Sequence, residues 1–207
     1  MKVPPLKVAV LGASGRAGSE ITKELASRGH SVLAIARKPE AIPTGAGVTA
    51  VKGDASDAAA LADLIRGSDV VVSALHFDIP AETLLSALKA AGVPRLLVTG
   101  GAASLEVAPG VRLIDTPDFP EEWKVFAQGG IAFLDALKSE TDIDWTFFSP
   151  AAVIEEGPRL GRYRLGGEQL VTDDEGESRI SFADYAIAMA DEVEQHRHPK
   201  ARFTAAY

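Results

Sequence analysis

The sequence contains no cysteine, which excludes disulfides, thiolate catalysis and zinc–thiolate sites. Basic residues are a minority, with 21 Lys and Arg against 29 Asp and Glu and a net charge of −8, so a nucleic-acid partner is not expected. No apolar run reaches the length of a membrane span, and the first residues lack the apolar region of a signal peptide. We therefore expect a soluble cytoplasmic protein that binds neither nucleic acid nor membrane.

What is present is a composition of 46% hydrophobic and 24% charged residues over 207 positions, enough for one domain with a substantial core. Short apolar runs alternate with segments of helical periodicity as far as residue 150. This alternation predicts βαβ units, and hence an α/β fold with a Rossmann-type doubly wound parallel sheet. Because the pattern then changes, we interpret residues 1–150 as a dinucleotide-binding core and residues 151–207 as a substrate-side lid with a final helix and strand, all within a single domain.

Seven apolar runs predict the strands. They are LKVAVLG (6–12), SVLAIA (31–36), VTAVKG (48–53), DVVVSAL (69–75), RLLVTGG (95–101), DWTFFSP (144–150) and ARFTAAY (201–207). Helix ends are indicated by their capping residues. Asp57 is expected to cap one helix, Pro80 to open the next, and Ser181, together with Asp184, to cap the last.

Three glycines, Gly12, Gly15 and Gly18, separate the first strand from the first helix in LGASGRAGSEI. In a dinucleotide-binding unit such glycines allow a tight turn, the approach of a pyrophosphate and close packing of helix on strand, while the helix start supplies free N–H groups. The spacing is G-x-x-G-x-x-G rather than G-x-G-x-x-G, but its position after a first strand is the one that the motif requires. The loop predicts a pyrophosphate site, with a purely structural turn as the alternative.

The second strand ends in AIARK, where an acidic residue would bind the ribose 2′-hydroxyl of NAD. Arg37 and Lys38 stand there instead, and Arg16 lies within the glycine loop. Since a guanidinium is well matched to a phosphate, these cations predict NADP as the cofactor, with NAD as the alternative. A solvated loop is the alternative role for Arg37 and Lys38. Asp54, after the third strand, is expected either at the adenine pocket or as a helix cap.

The stretches LGASGRAGSEI, KGDASDAAALADLIRGSDVVVSAL, RLLVTGGAASLEV and WTFFSPAAV resemble the atypical short-chain dehydrogenase/reductases. Within them, the chain is similar over nearly its full length to the NmrA-like NAD(P)H-flavin reductase group, which includes relatives of biliverdin reductase B. The resemblance implies a nicotinamide dinucleotide on the glycine loop, with residues 99–102 and 149–151 beside the nicotinamide and a substrate cleft over the strand ends. The cofactor-binding residues expected from the motifs and the resemblance are Gly12, Ser14, Gly15, Arg16, Ala17, Gly18, Arg37, Lys38, Asp54, Ala74, Leu75, Thr99, Gly100, Ser149 and Pro150.

The catalytic residues typical of the wider superfamily are missing. VTGGAAS has glycines where a serine usually follows the fifth strand, and PEEWKVFAQGG has no Tyr-x-x-x-Lys. Ser104, Lys124 and His76 are the nearest candidates for a proton donor, each with a structural role as the alternative. We expect no metal site, because His196 and His198 have no third ligand beside them in the sequence.

Four aromatic residues, Trp123, Phe126, Phe148 and Tyr163, are expected either to form an apolar wall for a flat ring or to belong to the core. Together with the missing tyrosine, they predict NADPH-dependent hydride transfer to a flat small-molecule acceptor such as a flavin or a quinone, whose reduced anion needs no strong acid. The alternatives are a non-catalytic NAD(P)-sensing protein of the NmrA type and an epimerase-like isomerase, which the missing tyrosine–lysine pair disfavours. The oligomeric state stays open between monomer and dimer.

Overall fold

A single eight-stranded sheet with helices on both faces forms the centre of the computed structural model, which describes residues 3–207. The strands are β1 (Lys7–Leu11), β2 (Ser31–Ala36), β3 (Val48–Lys52), β4 (Val70–Ser73), β5 (Arg95–Thr99), β6 (Glu106–Ala108), β7 (Val111–Arg112), β8 (Asp144–Ser149), β9 (Val153–Glu155), β10 (Arg164–Gly166), β11 (Arg179–Ser181) and β12 (Ala201–Ala206). The helices are α1 (Arg16–Ser27), α2 (Ala58–Ile65), α3 (Ala81–Ala91), α4 (Glu121–Lys138) and α5 (Phe182–Gln195).

The order of strands across the main sheet is β10-β12-β8-β5-β4-β1-β2-β3, and every neighbouring pair is parallel except β10 with β12. The chain moves outwards in one direction from β1 through β2 to β3, and in the other from β4 through β5 to β8. The predicted Rossmann-type doubly wound sheet is therefore confirmed. In such a sheet the ligand crevice lies beyond the carboxyl ends of the strands, where the order reverses between β1 and β4.

The two faces of the sheet are buried by different helices. Val8 and Val10 of β1 pack with Ile21 of α1 and Met189 of α5 on one face. Ala9 and Leu11, the alternate positions, pack on the other face with the cluster that contains the apolar residues of α2, α3 and α4. A strand buried on both sides needs an almost continuous apolar sequence, which is why KVAVL shows no alternation.

Several elements of residues 151–207, which were expected to form a lid, belong to the main sheet or to the core. Strand β12 lies between β8 and β10 inside the sheet, and helix α5 packs beside α1 in the core. Ser181 accepts a hydrogen bond from the Asp184 amide and so caps α5, as predicted. Along residues 3–207, no helix combines the length and the apolar character that crossing a bilayer requires.

Candidate dinucleotide and acceptor site

The glycine loop after β1 is held in a shape that only glycine allows at two of its positions. Gly12 has a φ of +73°, and a Cβ there would lie 2.5 Å from the Ala74 carbonyl oxygen at the end of β4. At Gly18, a Cβ would lie 2.1 Å from the Gly12 carbonyl oxygen. The first glycine thus makes the tight turn, and the third brings α1 against the loop, as the sequence predicts.

Gly15, the middle glycine, leaves room for a ligand. It precedes α1 with an extended backbone, and no side chain caps the N–H groups of the first turn of that helix. A Cβ at Gly15 would meet only the Gly12 carbonyl oxygen, at 3.3 Å. Free N–H groups at a helix start, with open space in front of them, form the arrangement that a pyrophosphate needs.

A groove of about 820 Å³ extends from this loop across the carboxyl ends of β1, β2, β3 and β4, and we call it the dinucleotide groove. It is lined by Leu11, Gly12, Ser14, Gly15, Ile35, Ala36, Arg37, Lys38, Gly53, Asp54, Ala55, Ser56, Ala74, Leu75, His76, Asp78 and Ile79. Arg37 and Lys38 are exposed at the end of β2, and neither forms an ion pair with another residue in the range 3–207. These two cations are therefore available to a ligand.

Asp54 lies in the groove, and it closes a turn of its own. Its Oδ1 accepts hydrogen bonds from the Ser56 amide at 3.0 Å and from the Ser56 hydroxyl at 2.7 Å. These bonds, with a smaller contribution from the charge of Arg37, hold the pKa of the Asp54 carboxyl below its usual value. The cap of α2 is Asp57, which accepts from the Ala59 and Ala60 amides. Asp54 is thus an ionised group at the groove and not a helix cap.

A second cavity of about 470 Å³ lies over the ends of β5 and β8, and we call it the acceptor cavity. It is lined by Arg16, Phe77, Gly100, Gly101, Ala102, Ala103, Ser104, Leu113, Phe119, Pro120, Trp123, Phe126, Ala127, Gly130, Ile131, Pro150, Ala151, Ala152, Val153, Ile154 and Phe182. The two cavities adjoin, because the ring of His76, which lines the groove, contacts the ring of Phe126, which lines the acceptor cavity, at a centroid distance of 5.7 Å. A dinucleotide that crosses this boundary reaches from a polar groove into an aromatic cavity.

Only two of the four aromatic residues expected in the acceptor cavity are there. Trp123 and Phe126 line it from α4. Phe148 is fully buried in the core, where it stacks on Tyr185 and Phe203 at ring-centroid distances of 4.0 and 4.2 Å. The hydroxyl of Tyr163 donates to Asp191 outside the cavity. Aromatic residues that the sequence analysis missed complete the wall: Phe77, Phe119 and Phe182.

The three candidate proton donors lie in three different places. Lys124 faces a separate polar depression beside α4, where its Nζ pairs with Glu121 at 2.6 Å. His76 is exposed in the dinucleotide groove, with its ring edge against Phe126. Ser104 alone lines the acceptor cavity, and its Oγ accepts a 2.7 Å hydrogen bond from the buried guanidinium of Arg202. These three residues therefore do not form a common catalytic site.

None of the three tyrosines of the chain reaches either cavity. Tyr163 donates to Asp191, Tyr185 to the Phe148 carbonyl oxygen at 2.7 Å, and Tyr207 to Asp184 at 2.6 Å. Burial raises the pKa of both Tyr163 and Tyr185. The missing tyrosine acid is thus not replaced from elsewhere in the part of the chain that the structure describes.

Of the residues expected beside a nicotinamide at the ends of β5 and β8, some line the acceptor cavity and others do not. Gly100 and Pro150, which follow β5 and β8, line the acceptor cavity, whereas Thr99 and Ser149 end those strands without lining it. The Oγ of Ser149 is buried and has no hydrogen-bond partner among residues 3–207. The other expected cofactor residues, Ala17 and Gly18, lie in the first turn of α1 behind the loop.

Arg16 is placed differently from the expectation. From the sequence, Arg16 is predicted to lie with Arg37 and Lys38 around a 2′-phosphate, but the residue lines the acceptor cavity and not the dinucleotide groove. Its guanidinium lies over the ring of Phe182, 5.1 Å from the ring centroid. Residues next to each other in a loop that starts a helix point in different directions, so nearness in sequence to Gly15 did not place Arg16 in the groove.

Phe147 explains why a glycine occupies the position of the usual serine after β5. A Cβ at Gly100 would lie 2.3 Å from the ring of this buried phenylalanine, whereas a Cβ at Gly101 would lie 3.9 Å from its nearest neighbour, Phe77.

We therefore expect Gly100→Ser to lower the free energy of unfolding by about 1–3 kcal/mol, as overpacking does. Urea unfolding measures this, with Gly101→Ser as the matched control, and equal stability of the two variants would contradict the packing.

Within residues 3–207, no group of three or more His, Asp and Glu side chains is placed to hold a metal ion. His196 pairs with Asp144, and His198 hydrogen-bonds to the buried carboxylate of Glu192. Both histidines are thus engaged with carboxylates, and neither of them lines the dinucleotide groove or the acceptor cavity.

Comparison with known proteins adds a family and several solved structures. A sequence model described as NAD(P)H-binding matches residues 12–193. A structure of a proposed exported protein from Burkholderia pseudomallei is 44% identical, covers 98% of this chain and 100% of its own, and has a TM-score of 0.89. A proposed epimerase from Bacteroides thetaiotaomicron is 40% identical, with coverages of 99% and 98% and a TM-score of 0.92. A proposed NADH-flavin reductase from Streptococcus pneumoniae is 36% identical, with coverages of 97% and 99% and a TM-score of 0.86.

Proposed function

Since the chain belongs to the NAD(P)H-binding family, we propose that it is an NADPH-dependent oxidoreductase that reduces a flat, redox-active acceptor such as a flavin or a quinone. The observation that carries the proposal is the pair of adjoining cavities: a polar groove on the glycine loop, and an aromatic cavity with no tyrosine in its lining. The similar protein named as a proposed NADH-flavin reductase agrees with this acceptor class.

The dinucleotide groove holds the cofactor through its two ends. The uncapped N–H groups at the start of α1 would hold the pyrophosphate, and Arg37 and Lys38 would hold the 2′-phosphate that distinguishes NADPH from NADH. When bound, NADPH supplies the hydride from its nicotinamide ring. The protein contributes position, because residues at the ends of β5 and β8 fix where that ring meets the acceptor cavity.

The acceptor cavity suits a planar ring system. Phe77, Trp123, Phe126 and Phe182 provide apolar faces and edges against which such a ring system can stack. Ser104 is the one residue of the lining with a side-chain hydroxyl. Because its Oγ accepts from Arg202, its own O–H group is free to donate a hydrogen bond to a reduced acceptor. A flavin or a quinone delocalises the added charge, so one hydrogen bond is sufficient.

Ser104→Ala is expected to lower the rate of flavin or quinone reduction by less than about tenfold, below the 10²–10⁴-fold that general acid catalysis contributes. Steady-state rates with saturating NADPH measure the loss. His76→Ala and Lys124→Ala, which change residues outside the acceptor cavity, should also stay within that limit. A hundredfold loss at any of the three, with dinucleotide affinity unchanged, would identify a proton donor that this mechanism lacks.

A second candidate function, a NAD(P)-sensing protein that turns nothing over, is favoured by one surface. The first half of α4 exposes Trp123, Val125 and Phe126, with 58%, 81% and 46% of their surfaces accessible. Trp123 and Phe126 lie one helical turn apart with their ring centroids 6.5 Å from each other, and exposed apolar residues of this kind are typical of a protein interface. The epimerase alternative has support from one similar protein that is named as a proposed epimerase, but the lack of a tyrosine in either cavity disfavours it.

A further inference from the structure

Arg16 is the only charged residue in the lining of the acceptor cavity, which holds no carboxylate. It forms no ion pair with any of residues 3–207. An otherwise apolar cavity therefore carries one uncompensated positive charge. The chain has more acidic than basic residues, with a net charge of −8, so a general excess of basic residues does not account for a cation in this cavity.

The side chain of Arg16 is exposed at the edge of the acceptor cavity, and its guanidinium lies against the ring of Phe182. The guanidinium carbon lies 5.1 Å from the centroid of that ring, within the range of a cation–π contact. Phe182 is itself buried at the start of α5, directly after the Ser181 cap. The Arg16 guanidinium donates no hydrogen bond to any other residue in the range 3–207, so its N–H groups are available to a ligand, and their planar arrangement is matched to a phosphate or carboxylate.

The other cations near the two cavities are already assigned or neutralised. The guanidinium of Arg202 donates to the Ser104 side chain and backbone and pairs with Glu168. Arg37 and Lys38 line the dinucleotide groove and not the acceptor cavity. Among residues 3–207, Arg16 alone thus offers a positive charge to a molecule bound among the aromatic side chains.

We propose that Arg16 forms an anion subsite of the acceptor cavity, so that the preferred acceptor is a flat ring system carrying a phosphate or carboxylate group. The identity of the reaction rests on the function proposed above, but binding of the anionic group does not depend on turnover. The apolar wall takes the ring, Arg16 takes the anion, and Ser104 faces the same cavity.

Flavin mononucleotide and riboflavin test the subsite, because they share one ring system and differ in a terminal phosphate. Flavin fluorescence titrations in the presence of NADP⁺ measure binding, and NADPH oxidation measures KM. We expect the protein to bind the phosphorylated flavin about tenfold or more tightly than riboflavin, as a charge-assisted hydrogen bond allows. Arg16→Gln should remove this preference, leave riboflavin unchanged and leave NADPH affinity within twofold. Arg16→Lys should keep part of the preference.

Lys23→Gln is the matched control, because it removes one exposed cation from the same helix and outside both cavities. It should leave the flavin preference intact. Equal binding of the two flavins by the unmodified protein would overturn the subsite, as would an Arg16→Gln variant that loses NADPH affinity but keeps the preference, since Arg16 would then serve the pyrophosphate. If neither flavin binds, a naphthoquinone and its sulfonate replace them, and equal binding of that pair overturns the proposal. Flavin binding without any NADPH oxidation would contradict the proposed function and leave the subsite standing.

Discussion

Gly15→Val is expected to abolish dinucleotide binding while the protein stays folded. The backbone of Gly15 is extended, with φ −78° and ψ 172°, a conformation that valine adopts readily. The added Cβ would meet only the Gly12 carbonyl oxygen, at 3.3 Å, and we expect the two methyl groups of valine to fill the space in front of the helix start. Because the pyrophosphate needs that space, isothermal titration with NADPH should show no binding at concentrations that saturate the unmodified protein.

Gly18→Val provides the contrast within the same loop. A Cβ at Gly18 would lie 2.1 Å from the Gly12 carbonyl oxygen, so this variant should lose stability as well as binding. The thermal unfolding midpoint separates the two effects: near normal for Gly15→Val and clearly lowered for Gly18→Val. Unchanged NADPH affinity in a folded Gly15→Val protein would mean that the loop is only a structural turn.

Arg37→Asp is expected to reverse the cofactor preference from NADPH to NADH. The substitution removes a cation that has no other ion-pair partner in residues 3–207, and it places a carboxylate at the end of β2, where it can accept from a ribose hydroxyl. Loss of the charged hydrogen bond alone is worth about 1.5–3 kcal/mol, or roughly tenfold to hundredfold in NADPH affinity, and repulsion of the 2′-phosphate adds to it. Dissociation constants for both dinucleotides measure the change.

Lys23→Asp makes the same change in net charge on the outer surface of α1, away from the groove. It should leave the ratio of the two dissociation constants as it is in the unmodified protein. If the unmodified protein binds NADH as tightly as NADPH, then Arg37 and Lys38 form a solvated loop and the cofactor assignment fails.

Much of the fold could be predicted, because burial on both faces of the sheet leaves a strong local signal. The second strand was predicted at its observed bounds, Ser31–Ala36, and the cap residues Asp57 and Ser181 were identified correctly. Short pieces outside the main sheet were not predicted. Strands β6 and β7 lie between the fifth and sixth predicted strands and match none of the seven apolar runs, since two or three residues carry no detectable periodicity.

The candidate site likewise has one part that could be predicted from the sequence, the dinucleotide groove, and one part that could not, the acceptor cavity. The groove residues follow strand ends directly, so a strand prediction places Gly12, Arg37 and Asp54 at one edge of the sheet. The acceptor cavity is assembled from segments far apart in the chain, and nothing local distinguishes its aromatic residues from core ones. Phe147 and Phe148 show the difficulty, because both are buried, on opposite faces of the sheet, and neither lines the cavity.

Anaerobic oxidation of NADPH by the purified protein tests the account most directly, with flavin mononucleotide, riboflavin and menadione as acceptors. The nicotinamide absorbance should fall with at least one of these acceptors, at a rate that depends on protein concentration and that is lost in Gly15→Val. Tight binding of NADPH without any oxidation, across a broad panel of flavins, quinones and carbonyl compounds, would contradict the account and favour a dinucleotide sensor.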